Sequence, residues 1–182
     1  FLYNISGACF AGLRQLDAAL KSYEKAIAIK PDYAEVHYNL GVTLQELGQL
    51  NAAVKSYKEA LAIKPDYAEA HNNLGNIFMN LGQLDAAVKC YEKALAIKPD
   101  YAEAHNNLGI ALNSLGQRDA AVKCYEKALA INPDHTEAHN NIGIAYVYNG
   151  LGAAMHSLGQ LDAAVKCYKN ALAIKPDYAD VH

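Results

Sequence analysis

Tryptophan is absent from the 182-residue chain, phenylalanine occurs three times, and there are only five prolines and twelve glycines. So little Pro and Gly excludes a collagen-like or low-complexity chain. No uninterrupted apolar run reaches about 18 residues, which excludes a membrane-spanning helix. The longest uncharged stretch, 138–161, contains Asn140, Asn141, Asn149 and Gln160. A basic excess is also missing. Lys and Arg number 16 against 19 Asp and Glu, a net charge of −3, so the global footprint of a nucleic-acid binder is lacking. The cysteines are Cys9, Cys90, Cys124 and Cys167, with no close pair. Their spacing suits neither a zinc knuckle nor a compact disulfide framework, and reduced thiols in a cytoplasmic, reducing compartment are expected. Phosphate-loop, zinc-protease and serine-hydrolase signatures do not occur.

What the chain has is tyrosine, 13 in all, and a period. Pro31, Pro65, Pro99 and Pro133 follow one another at 34 residues, and Pro176 comes 43 residues later. Aligned on these prolines, Leu40-Gly41, Leu74-Gly75, Leu108-Gly109 and Ile142-Gly143 share a column. So do Ala19, Ala53, Ala87, Ala121 and Ala164, and likewise Tyr23, Tyr57, Tyr91, Tyr125 and Tyr168. Two recurrent tyrosine columns account for the tyrosine excess.

Each unit reads as a helical pair. In the second, the first helix is predicted over about 33–47, with Asp32 as N-cap, Glu35 closing a capping box, and Gly48 as the C′ residue. The second helix is predicted over about 50–63, stopped by Pro65. Gly41, Ala53 and Ala60 are small enough for close helix packing, while Tyr57 supplies bulk.

A 34-residue helix-turn-helix with this Leu-Gly, Ala, Tyr, Ala, Pro order resembles the tetratricopeptide repeat (TPR) family. The resemblance covers essentially the whole chain and implies an all-α, right-handed α-solenoid of tandem repeats at 1–33, 34–67, 68–101, 102–135 and 136–178. Residues 179–182 would begin a truncated sixth repeat. The family's large aromatic in the first helix is replaced by His37, His71, His105 and His139, with Tyr3 in the first unit. Equivalent positions in packed helical pairs lie roughly 10 Å apart, too far to share one metal ion, so these are packing histidines. No metal, cofactor or catalytic residue is expected.

Two departures stand out. The chain opens inside a first helix and closes inside another, with no polar capping helix, the pattern of a fragment of a longer array whose uncapped ends favour weak self-association. The fifth repeat is also irregular. Residues 142–150 and 151–159 both align with 108–116, so two first-helix endings follow one another. A long helix, or one kinked at Asn149-Gly150, is expected there.

Positions i, i+3, i+4 and i+7 share a helix face. On the first helices that face carries Glu35, Tyr38, Asn39, Val42 and Gln45, then Glu69, Asn72, Asn73 and Asn76. It continues as Glu103, Asn106, Asn107 and Ile110, then Glu137, Asn140, Asn141 and Ile144. Asparagine is a mediocre helix former, so its recurrence on a surface face points to a use. The resemblance implies that these helices line a concave groove for an extended peptide. Asn39, Asn73, Asn107 and Asn141 are similar to the asparagine ladder of O-GlcNAc-transferase-like arrays. Tyr38, Asn72, Asn76, Asn106 and Asn140 stand beside them as candidate peptide contacts. A carboxamide donates and accepts at once and can clasp a peptide unit whatever its side chain. The competing structural role is a bridge between neighbouring helices. A Lys/Arg clamp for a C-terminal carboxylate, the family's other mode, is disfavoured by the glutamates on this face. The expected function is a non-catalytic protein- or peptide-binding scaffold. The alternatives are the repeat arm of an O-GlcNAc-transferase-like glycosyltransferase and a self-assembly module.

Overall fold

The computed structural model of the chain describes residues 2–152 together with 165, 166 and 169. Among these, every regular element is an α-helix: α1 Leu2–Gly12, α2 Leu16–Ile29, α3 Ala34–Glu46, α4 Leu50–Ile63, α5 Ala68–Asn80, α6 Leu84–Ile97, α7 Ala102–Ser114, α8 Arg118–Ile131 and α9 Thr136–Gly152. The fold class is all-α, tandem helical pairs of the solenoid type. Two compact units divide the chain after Gly82.

In the first unit α1 packs on α2 and α3 on α4, while α2 meets α3 and α4 meets α5. Ala19, Tyr23, Ala26 and Val36 form a buried cluster, backed by Phe10, Ala11, Ile27, Tyr33 and Leu40. Tyrosine on the second helix lies directly on glycine of the first. A Cβ at Gly41 would stand 2.7 Å from the Tyr57 ring, and one at Gly7 would stand 2.5 Å from that of Tyr23. Only glycine lets backbone and ring approach this closely. In the second unit α7 packs on α8, with α6 and α9 against them. Ala121, Tyr125, Ile142 and Ala145 form its core cluster, and the Tyr125 ring sits on Gly109 in the same way.

The turns follow from a few residues. Gly48, Gly82 and Gly116 take φ of +72°, +70° and +77° after a first helix. The Gln49 amide then donates to the Leu44 carbonyl at 2.9 Å, a Schellman closure. In the first repeat the same position is Arg14, held at φ +61°, with the Gln15 amide donating to Phe10 at 2.9 Å. Between repeats, each histidine of the His column donates from Nε2 to the carbonyl of the proline six residues earlier. His37 reaches Pro31 at 2.7 Å, His71 Pro65 at 3.0 Å, His105 Pro99 at 3.0 Å and His139 Pro133 at 2.8 Å. The Lys30, Lys64 and Lys98 ammonium groups lie 5.4, 4.6 and 4.8 Å from the ring centroids of Tyr33, Tyr67 and Tyr101, a cation–π contact across each turn.

This geometry corrects the expected capping box. The N-caps of α3, α5 and α7 are Tyr33, Tyr67 and Tyr101, and none makes a side-chain cap bond. The Pro-Asp turn carries the chain one residue past Asp32 before the helix starts, and the tyrosine's ring is taken up by the lysine. At α9 a side chain does cap: the Ala138 amide donates to His135 Nδ1 at 3.3 Å. α9 itself runs 17 residues, against 13 for α3, α5 and α7, and continues through Asn149-Gly150. The second aligned ending, residues 153–159, and the expected sixth repeat lie outside the described residues.

Two expectations follow. A non-glycine residue in the left-handed region costs about 1–2 kcal/mol, so Arg14→Gly raises stability by about 1 kcal/mol in urea unfolding. Burial pushes the phenols of Tyr23, Tyr57, Tyr91 and Tyr125 up from 10, and burial with the neighbouring Tyr38, Glu35 and Glu69 takes Tyr67 up to about 12. A raised phenol keeps its full stabilisation below pH 10 and loses it as pH rises from 10 towards the folded value. Alkaline titration of the tyrosines follows phenolate absorbance and helicity together. The four buried ones ionise only as helicity is lost.

Candidate functional site

The first helices α3, α5, α7 and α9 present the amide-rich face, and the structure sorts its residues into two layers. Asn72 and Asn106 are 0% exposed. Both stand among the expected peptide contacts; Asn72 Nδ2 donates to the adjacent Asn73 Oδ1 at 3.4 Å, and Asn106 Oδ1 accepts from the next repeat. Asn39, Asn73, Asn107 and Asn141, one residue on, are half-buried, as are Tyr38, Asn76 and Asn140.

Each outer asparagine with a resolved bond reaches back to the inner layer of the preceding repeat. Asn39 Nδ2 donates to Asn4 Oδ1 at 3.1 Å, and Asn73 Nδ2 donates to Tyr38 Oη at 3.1 Å. In the second unit Asn141 Nδ2 donates to Asn106 Oδ1 at 3.0 Å. The separation is 35 residues every time, one repeat plus one position. The bridging role is thus present. It uses one amide hydrogen, and the Oδ1 atoms of Asn39 and Asn141 accept nothing from the described protein. Further in, Asn106 Nδ2 and Asn140 Oδ1 are buried without a partner.

The first unit adds aromatic groups. Tyr38 takes the place that asparagine holds in the other repeats (Asn4, Asn72, Asn106, Asn140). Its ring lies 4.8 Å from that of Tyr67 and 5.8 Å from that of Tyr57, measured between centroids. Tyr57, fully buried, donates to Gln45 Oε1 at 3.1 Å. Beside the cluster, Glu35 Oε2 accepts from the Tyr33 hydroxyl at 3.2 Å and Oε1 from Asn4 Nδ2 at 3.4 Å.

Sequence reasoning missed the two layers and this cluster. The signal for the layers is the repeated Asn-Asn pair at 72–73, 106–107 and 140–141, where adjacent helix positions point about 100° apart and cannot share one environment. The signal for the cluster is Tyr38 itself, the single aromatic in an asparagine column.

Among the described residues no cluster of three or more His, Cys, Asp or Glu is placed to hold a metal. Cys9, Cys90 and Cys124 form no disulfide with one another, and burial pushes the Cys124 thiol up, away from the nucleophilic thiolate. An open cavity of about 540 Å³ between α6, α7 and α8 is lined by Leu95, Ala96, Leu108, Ala130 and Ile131 with Cys124 and His105. No described helix is long and apolar enough to cross a membrane.

Comparison with known proteins matches this architecture. A family profile described as TPR repeat matches residues 13–48, 44–82 and 75–116, and one described as tetratricopeptide repeat matches 100–177. No curated protein matches in sequence. Among solved structures, MamA is 31% identical over 95% of this chain and 96% of its own, with a TM-score of 0.80. TTC0263, a thermophilic TPR protein of Thermus thermophilus, is 28% identical over 98% of this chain and 93% of its own, with a TM-score of 0.73. YrrB, described as a TPR protein with an unusual peptide-binding site, shares the fold at 22% identity over 97% of this chain and 86% of its own, with a TM-score of 0.74. With the profiles spanning residues 13–177 and a relative above 30% identity, the chain belongs to the tetratricopeptide repeat family.

Proposed function

We propose that the chain is a non-catalytic scaffold whose first-helix faces bind an extended peptide, with Asn39, Asn73, Asn107 and Asn141 clasping its backbone. The observation that carries this is the state of Asn39 and Asn141. One amide hydrogen is pinned to the preceding repeat, and the oxygen has no donor among the described residues at a half-buried surface. A carboxamide held this way has little rotamer freedom left to lose when it accepts a peptide N–H, which favours binding. The inner layer (Asn72, Asn106) orients the outer one, and Tyr38, Asn76 and Asn140 flank it. The fold shared with YrrB holds a peptide-binding site in that protein.

The test begins with peptides selected from a random library, titrated by calorimetry. Each hydrogen bond contributes roughly 0.5–1.5 kcal/mol net, so Asn39→Ala or Asn141→Ala weakens binding by about 2- to 12-fold. The same bonds bridge repeats, so each variant also loses up to about 1 kcal/mol of stability. Lost stability with unchanged affinity reduces the column to helix packing.

A second reading, self-association, draws on α1 and α2. Leu2, Leu13 and Ile29 are 80%, 68% and 70% exposed, whereas Ile63, the α4 counterpart of Ile29, is 38% exposed. Exposed apolar groups on one helical pair favour a covering partner. Light scattering over a concentration series should show reversible association that Leu13→Glu with Ile29→Glu removes; a monomer at every concentration excludes it.

A further inference from the structure

The glutamate of the first repeat boundary lacks the explanation that the capping pattern offered. α3 has no side-chain cap bond, and the carboxylate of Glu35 is engaged elsewhere. The buried amide of Asn4 holds one oxygen and the Tyr33 hydroxyl holds the other. A carboxylate offers about four acceptor sites, so each oxygen keeps one to offer. No Lys, Arg or His nitrogen among the described residues forms an ion pair with Glu35, which is exposed. The nearby lysines are committed to the turns, Lys30 over the Tyr33 ring and Lys64 over that of Tyr67. Two donors therefore orient an anion that no internal cation answers.

One helical turn on, at i+3 and on the same face, stands Tyr38. Its ring is wedged by Tyr57 and Tyr67 at 5.8 and 4.8 Å, and its hydroxyl is held by Asn73. A half-buried phenol locked at both ends is a rigid aromatic surface beside a rigid carboxylate. The field here is negative where Tyr67 samples it: Glu35 and Glu69 both help to raise that phenol, after burial and Tyr38.

We propose that Glu35 and Tyr38 form a seat for a guanidinium group, so that the peptide taken by the first unit presents an arginine there. This rests on the peptide-binding reading above and adds the chemistry of its ligand. Arginine fits better than lysine because its planar fork pairs both carboxylate oxygens at once while its face stacks on an aromatic ring. The seat belongs to one repeat. The other repeats carry asparagine where Tyr38 stands, so the arginine would set the register of a ligand that the amide column alone leaves free to slide.

The probes are alternating Ala-Arg, Ala-Lys and Ala-Gln dodecapeptides, with N-acetyl-arginine N-methylamide as a backbone-poor control, titrated by calorimetry and by amide chemical-shift mapping. A hydrogen-bonded ion pair of this kind gives the Arg peptide roughly a ten-fold preference over the Gln peptide, with Lys in between. Glu35→Gln and Tyr38→Asn each remove most of that preference, read as the ratio of Arg-peptide to Gln-peptide affinity within each variant. Tyr38→Asn installs the residue that the other repeats already tolerate, and thermal unfolding verifies both variants. Glu59→Gln, on the exposed face of α4, controls for bulk attraction by the net charge of −3 and leaves the preference intact. Equal binding of Arg and Gln peptides, or equal losses from Glu35→Gln and Glu59→Gln, overturns the seat while the peptide-binding reading stands. If no peptide binds but the arginine amide shifts the signals of Glu35 and Tyr38, the seat stands and the wider reading fails. Silence from every probe overturns both.

Discussion

A tyrosine ring lying on a glycine is the contact on which the pairs α1–α2, α3–α4 and α7–α8 depend. Tyr23 on Gly7, Tyr57 on Gly41 and Tyr125 on Gly109 all place ring carbons where a Cβ would be. The second helix therefore sits close to the first, and its small residues, Ala53 and Ala60 beside Tyr57, are driven to full burial. Burying a side chain of this size contributes on the order of 2–3 kcal/mol, and the ring is stiff, so it sets the helix spacing as well as stabilising it. The hydroxyl of Tyr57 donates to Gln45 of α3, so one residue links the packing core to the amide-bearing face.

The turns repeat with equally few parts. Glycine in the left-handed region closes the first helix, and proline stops the second. A histidine from the next first helix pins the proline carbonyl, and a lysine covers the tyrosine that starts that helix. The proline carbonyl would otherwise face the interior of the turn unsatisfied, and such a group is costly when buried. The histidine column thus carries a backbone duty.

On the first-helix face, adjacent asparagines divide the labour. Asn106 is buried and accepts; Asn141 bridges back to it across a repeat and keeps an oxygen over among the described residues. In the proposed function, bridging and ligand binding are successive uses of one side chain. The bridge removes the rotational freedom that would otherwise oppose binding. Tyr38 interrupts this regularity, and the interruption gives one place along the face a different chemistry from the rest.

The helical pairs were legible from the prolines at 31, 65, 99 and 133 and from the Tyr and Ala columns, because a period of 34 residues is a local, one-dimensional signal of how apolar positions repeat. Gly48 as a left-handed C′ residue was readable for the same reason, since only backbone freedom was at stake. The amide face was visible as a column, but its depth was not. Asn72 and Asn73 are neighbours of identical chemistry, and only the packing of adjacent repeats buries one and leaves the other at the surface. The capping box misled because the choice between Asp32 and Tyr33 as N-cap is made by the path of the turn, which the proline carbonyl and its histidine direct from outside the helix. Tyr38, Tyr57 and Tyr67 come from three segments spread over 30 residues, and no periodicity announces that their rings meet. Repetition along the chain specified the units; contacts between residues a repeat apart decided which polar groups are structural and which remain to meet a partner.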